Sequence, residues 1–321
     1  MFGRYLTATT IMSGGRPVCQ SQVPRRASWA SLCVLAISLG PASAVAQSGE
    51  TGPNVLIVVA HPDDDAMFAA TVYKITHSLK GNVDLALVTD GSGGYQYSHL
   101  AEPIYGLDLT DERVARQHLP AIRKQELMAG GEIVGIRNYF FLDQFDHQFT
   151  ENADTVLKHV WDADAVRSRL QGVMTRSPYD FVFVHLPIPN FHGHHKAASI
   201  LALEAAQMVD TAYRPIVLGS FVGGGGDVTE FDFEELEGFP ITKVRPGVKP
   251  FVFDRTEPLS EDGRLDYQIV VNWLIAEHKS QGTMQLLMNQ GARECYWYFD
   301  ANDPEGKERV KTLFDALKVK Q

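Results

Sequence analysis

The sequence predicts an α/β chain, a Rossmann-like, mostly parallel and doubly wound sheet with helices on both faces. Three observations carry this expectation. Val55-Leu-Ile-Val-Val-Ala60 is a continuous apolar run rich in β-branched residues, as a strand covered on both faces requires. Strand-like and helix-like stretches then alternate along the chain, the pattern of parallel βαβ units. The ionisable clusters directly follow strands, and open α/β sheets bind ligands outside the carboxyl ends of their strands.

After the first strand, residues 67–78 read as a helix and Asp84–Thr89 as the second strand. Residues 112–134 read as a long amphipathic helix and Tyr139–Leu142 as a strand. A further helix leads to a strand at Phe181–His185, and Lys196–Val209 is a mostly apolar helix. Pro215–Leu218 and Phe251–Phe253 read as later strands, and Asp266–Ser280 and Lys307–Lys318 as helices. Gly223–Gly226 marks a turn, and the acidic stretch Glu230–Glu237 reads as solvated surface.

The 321 residues carry a net charge of −10, with 45% hydrophobic and 21% charged residues. Those fractions fit a globular protein with a sizeable core and exclude disorder, collagen and a polytopic membrane protein. Charge is unevenly spread. Residues 1–46 hold four arginines and no acid. Arg25-Arg26 precede the apolar run Trp29–Leu39, Gly40-Pro41 breaks it, and Ala42-Ser-Ala44-Val-Ala46 offers a small-residue cleavage site. This is the pattern of a secretory signal peptide cleaved near Ala46. The run is shorter than the ~20 apolar residues of a membrane span, so no stable insertion is expected after cleavage. The expected mature protein is a single exported domain, residues 47–321, periplasmic or extracellular. Taking four arginines from the 29 basic residues leaves 25 against 39 acids, a net charge of −14. Nucleic acid and anionic lipid need a basic footprint and are not expected partners, whereas a neutral small molecule or glycan is. Cys295 is the sole cysteine beyond residue 46, so no internal disulfide is expected there.

Two clusters carry the chemistry. His61-Pro-Asp63-Asp64-Asp65 directly follows the first strand. Adjacent carboxylates repel one another, and a bound cation relieves that repulsion. Imidazole with carboxylate suits zinc or a similar borderline metal. His192-Gly-His194-His195 follows the strand that ends near His185, with His195 expected to open the next helix. His61, Asp64 and His195 would supply three ligands for one ion per chain and leave the open position that catalytic zinc needs.

Ala60-His61-Pro62-Asp63-Asp64 together with His192-x-x-His195 resembles the PIG-L/LmbE-like zinc-dependent N-deacetylases. The likeness extends through Thr89-Asp90-Gly91, Arg123-x-x-Glu126-Leu127 and His278-x-Ser280-Gln281, and so spans about residues 54–282. The resemblance implies a Rossmann-like fold and removal of an acetyl group from an N-acetylglucosamine-type amine. It implies His61, Asp64 and His195 as zinc ligands and Asp63 as general base. His192 would stabilise the transition state or protonate the amine, and Arg123 and Asp146 would contact substrate. Two positions depart from the family pattern. Asp65 stands where Glu is usual and is expected to cap or support from outside, with a tolerable loss. Asn190-Phe191 occupies a stretch where some members carry tyrosine, which shifts oxyanion support to the metal and His192, aided by a tyrosine such as Tyr95.

The bland reading is preferred elsewhere. His185 and His278 are expected to pack, and Arg123 serves equally well as an ion-pair partner for an acid on a neighbouring element. Two other functions compete. A haloacid-dehalogenase-type phosphatase would use Asp63 and Asp65 with Mg²⁺. A non-catalytic exported carbohydrate-binding protein would keep the fold without the chemistry.

Overall fold

A computed structural model of the chain describes residues 52–223 and 232–318, which belong to one compact unit spanning Ser48–Gln321. The expected signal segment, most of the Gly223–Gly226 turn and the start of the Glu230–Glu237 stretch lie outside the described residues. β1 (Asn54–Val59) occupies the middle of the sheet. Val55, Ile57 and Val59 enter one apolar layer, while Leu56, Val58 and Ala60 enter the other. Burial on both faces is the reason the run has no polar member.

A 3₁₀ turn (Asp64–Met67) leads to α1 (Ala69–Tyr73), which continues as a π turn (Lys74–Ser78). The expected helix at 67–78 is thus three short pieces. β2 (Asn82–Thr89) pairs in parallel with β1. The short α2 (Glu102–Tyr105) and the long α3 (Glu112–Val134) precede β3 (Ile136–Gln144), which adds to the outer side of β2. α4 (Ala153–Thr155) and α5 (Ala163–Arg176) carry the chain to β4 (Phe181–His185), on the opposite side of β1. α6 (Gly193–Gln207) crosses to β5 (Ile216–Gly223). β6 (Phe251–Asp254), α7 (Tyr267–Glu277), β7 (Arg293–Tyr298) and α8 (Gly306–Leu317) follow.

The sheet order is β3-β2-β1-β4-β5-β7-β6. The first five strands are parallel, and β7 runs antiparallel between β5 and β6. The fold is therefore the mixed α/β, mostly parallel sheet that the sequence predicts, with β7 added. Winding reverses direction between β1 and β4, so a crevice opens beyond their carboxyl ends. His61 and the His192–His195 run emerge there. Among the described residues no helix is long and apolar enough to cross a membrane.

α3 starts where the Asp111 side chain accepts from the Val114 amide and stops at Gly135, whose φ is 84°. Its buried stripe runs through Ala115, Leu119, Ile122, Leu127 and Val134, but Arg123 and Glu126 lie on the same face. Glu126 accepts hydrogen bonds from the Ser280 amide at 2.8 Å, the Ser280 hydroxyl at 2.6 Å and the Tyr105 hydroxyl at 2.6 Å. Charged residues on a buried helix face are costly unless paired, and these pairs tie α3 to the segment after α7.

Two further buried pairs clamp the region behind His61. Asp65 makes no capping bond. It is buried and its Oδ1 lies 2.9 Å from His278 Nε2, at the end of α7, so His278 packs as expected and Asp65 supports from behind rather than capping. Glu294, within β7, accepts from the Ala70 and Thr71 amides at 3.0 and 2.9 Å and from Arg255 Nε at 2.9 Å. Removing one member of a buried pair leaves the other uncompensated, at a cost of about 3–5 kcal/mol. Asp65→Ala and Glu294→Ala are each expected to lower the urea midpoint by that much stability at unchanged m-value. A loss below about 1 kcal/mol, the level of an exposed pair, would show that the pair in question does not hold the fold.

Candidate active site and metal centre

The end of β1 folds back on itself. The Ala60 and His61 amides donate to Asp64 Oδ2 at 3.0 and 2.8 Å, fixing that carboxylate beneath the His61 ring. Asp64 Oδ1 then lies 3.1 Å from His195 Nε2, and His61 Nδ1 lies 2.9 Å from the same nitrogen and 3.7 Å from Asp64 Oδ2. Protons alone fit this triangle poorly, because two imidazole nitrogens and a carboxylate all converge on one point. Bonds of ~2.0–2.2 Å to a tetrahedral zinc place ligand atoms about 3.3–3.6 Å apart, so the three residues fit the ion. A second grouping, His61, His192 and His194, is also close enough to hold a metal. The Nδ1 atoms of its two further rings are already engaged: His192 Nδ1 accepts from the His194 amide at 3.0 Å, and His194 Nδ1 faces Asp146 Oδ1 at 3.4 Å.

α6 begins two residues earlier than expected. His192 is its N-cap, and its ring nitrogen takes the amide usually satisfied by Ser, Thr or Asp. The intervening Gly193 is required by space, since a Cβ there would sit 2.8 Å from the Asn152 carbonyl oxygen. Because Nδ1 accepts, the neutral His192 ring carries its proton on Nε2. Burial, with the neighbouring His61 and His194, pushes its pKa down to about 2. His192 is thus a neutral donor, and of the two roles implied for it the geometry fits oxyanion stabilisation. The Phe149 ring stands edge-on to it at 4.9 Å.

Asp63 faces the cleft, and its Oδ1 accepts from Arg123 Nη2 at 2.8 Å. Arg123 is almost wholly buried and also donates to the Gly91 carbonyl at 2.8 Å. Its charge is committed to Asp63, the ion-pair alternative left open by the sequence, rather than presented to solvent. Asp146 is likewise buried, with Oδ1 3.5 Å from His61 Nε2 and Oδ2 accepting from the Gly93 amide at 3.0 Å. Both residues implied as substrate contacts are nearly buried at the cleft lining and are held by protein partners. The Gly91–Gly94 loop binds protein groups: a Cβ at Gly94 would lie 2.5 Å from Arg123 Nη1.

Electrostatics favours a cation. Burial opposes charge on His61, yet Asp146 and Asp64 more than offset it and push its pKa up to about 10. Despite burial, His195 and His185 hold Asp64 well below the carboxylate range, and His61 does the same for Asp146. His185 packs as expected, stacked on His195 at 4.7 Å and pushed down to about 4 by burial. With the imidazoles neutral, as metal ligation requires, Asp63, Asp64 and Asp146 outnumber Arg123 by two charges, the amount a divalent ion neutralises.

These groups line a cleft of about 440 Å³ whose walls include Tyr95, Tyr97, Phe149, Phe191 and Met284. Tyr95 lies beside Arg116, and Phe191 packs on His195 at 5.6 Å. A larger groove of about 570 Å³ between Tyr73 and Gly263 brings together no metal-ligating group. The phosphatase reading fails on geometry, because Asp65 is buried and held by His278. Two contributors escaped the sequence reading. His194 carried its signal in the His192–His195 run, whereas Glu294 carried none.

The family described as PIG-L, GlcNAc-PI de-N-acetylase, matches residues 56–206. Among solved structures, N,N'-diacetylchitobiose deacetylase from Pyrococcus horikoshii is 15% identical with a TM-score of 0.46, covering 76% of this chain and 83% of that one. The A40926 pseudoaglycone deacetylase Dbv21 is 18% identical with a TM-score of 0.49, covering 79% and 99%. GalB, the 4-carboxy-2-hydroxymuconate hydratase of Pseudomonas putida KT2440, is 16% identical with a TM-score of 0.41, covering 76% and 95%. No curated protein matches the sequence. The family match runs from within β1 to the last turn of α6 and encloses His61, Asp63, Asp64, His192 and His195, so residues 56–206 of this chain match the PIG-L family.

Proposed function

We propose that the protein is an exported, zinc-dependent N-deacetylase that removes an acetyl group from an N-acetylglucosamine-type amine. The carrying observation is the convergence of His61 Nδ1, Asp64 and His195 Nε2, with Asp63 beside them on the cleft. A zinc ion held by these three residues supplies Lewis acidity, which activates water at neutral pH and polarises the amide carbonyl.

The chain's own groups then have separable tasks. Asp63 takes a proton from the attacking water, a step typically worth ~10²–10⁴ in rate. Arg123 fixes the carboxylate through Oδ1. Among the described residues Oδ2 makes no protein hydrogen bond and is the oxygen left for water. The water oxygen bonds to the carbonyl carbon, and the new oxyanion accepts the Nε2–H of His192. Collapse breaks the C–N bond while the proton on Asp63 passes to the departing nitrogen, giving the amine and acetic acid, which ionises to acetate and leaves its proton on the amine or in solvent. The aromatic rings of Tyr97 and Phe149 at the cleft mouth suit the apolar faces of a neutral sugar, and the acidic surface favours release of a cationic product.

Asp64→Ala and His195→Ala are expected to lose both zinc and activity, whereas Asp63→Asn keeps zinc and loses at least ~10²-fold in turnover. Zinc per protein by elemental analysis, paired with acetate release, checks this. An Asp63→Asn protein without zinc, beside an Asp64→Ala protein with it, would reverse the two assignments. His192→Ala removes the oxyanion donor, and about 10²–10³-fold in kcat is expected to go with it while zinc is kept. Unchanged kcat would remove His192 from the mechanism. For location, the secreted protein is expected to begin near Gln47 on N-terminal sequencing. A full-length cytoplasmic product would contradict export.

A further inference from the structure

We infer that Asp146 is a positioning residue for the metal ligand His61, in a buried triangle completed by His194. The inference rests on the metal-centre reading above and starts from His194. That ring is wholly buried, and its Nε2 has no hydrogen-bond partner among the described residues. A proton on Nε2 would be a buried donor without an acceptor, which costs more than an idle lone pair. The proton therefore sits on Nδ1, where Asp146 Oδ1 is 3.4 Å away.

The tautomer of His61 follows from the metal-centre reading. His61 Nε2 lies 3.1 Å from His194 Nδ1 and 3.5 Å from Asp146 Oδ1. A metal on His61 Nδ1 places the ring proton on Nε2, and with His194 Nδ1 also protonated Asp146 Oδ1 is the acceptor that both N–H groups face. Nδ1 is the atom turned toward Asp64 and His195. Asp146 stabilises that tautomer and fixes how the ring is turned.

The carboxylate is itself held from several sides. Oδ2 accepts from the Gly93 amide at 3.0 Å, Arg123 Nη1 is 3.7 Å away, and Arg116 Nη1 donates to the Asp146 carbonyl at 3.1 Å. A Cβ at Gly93 would lie 2.8 Å from the carboxyl carbon, so only glycine allows this approach. Loss of a carboxylate that orients a ligating histidine typically weakens metal binding 10–100-fold.

The test is zinc affinity, measured by competition with a chromophoric chelator, in Asp146→Asn and in Gly93→Ala. Gly93→Ala displaces the carboxylate without altering any ligand, so it keeps the question open if Asp146→Asn folds poorly. Both variants are expected to bind zinc about 10–100-fold more weakly, with shifted visible bands in the cobalt-loaded protein and KM at saturating zinc within about twofold. Wild-type zinc affinity with a tenfold or greater rise in KM would make Asp146 a substrate contact, and unchanged affinity and KM would leave it no role. Wild-type protein that binds no zinc would sink the metal centre itself, an outcome separate from either.

Discussion

Concentrated negative charge around one imidazole is the constraint on which the site depends. Asp63, Asp64 and Asp146 lie within reach of His61 and Arg123, all largely buried, where like charges repel strongly. The fold accommodates them by giving each a distinct partner. Asp64 takes two backbone amides and His195, Asp63 takes Arg123, and Asp146 takes Gly93 and two histidines. The remaining imbalance is the charge of a divalent cation. His61 shows the same demand, since its surroundings favour its charged form in spite of burial.

The rest of the architecture supplies that arrangement from elements far apart in sequence. β1 and β4 deliver the two clusters to one crevice because the winding reverses between them. α3 contributes Arg123 from its buried face, and Glu126 one turn on fastens the same helix to Ser280. Asp65 and His278 close the back of the turn, so three successive aspartates have three tasks set by the direction each faces. The polar floor is therefore a linked set of pairs, and a change at one member is felt by its neighbours.

Much of this was legible in the residues. The apolar run at β1, the strand at Phe181–His185 and the helix at 112–134 follow from periodicity and burial, and they stand where expected. β7 was not legible, because Glu294 interrupts its apolar pattern and its justification is a helix start more than two hundred residues away. The onset of α6 was misplaced because histidine is an unusual N-cap. The convergence of His61, Asp64 and His195 was visible in spacing and strand ends. Which of the lining side chains are committed to protein partners was not. Arg123 and Asp146 read as substrate contacts, and only the three-dimensional course of the Gly91–Gly94 loop shows them held from within.

The central claim is the location of the cation. Anomalous diffraction at the zinc edge from crystals of the zinc-loaded protein tests it most directly. A single peak bounded by His61 Nδ1, Asp64 and His195 Nε2, with Asp63 outside its coordination sphere, is the result the account predicts. A peak between His61, His192 and His194, or one bound by Asp63, would contradict it.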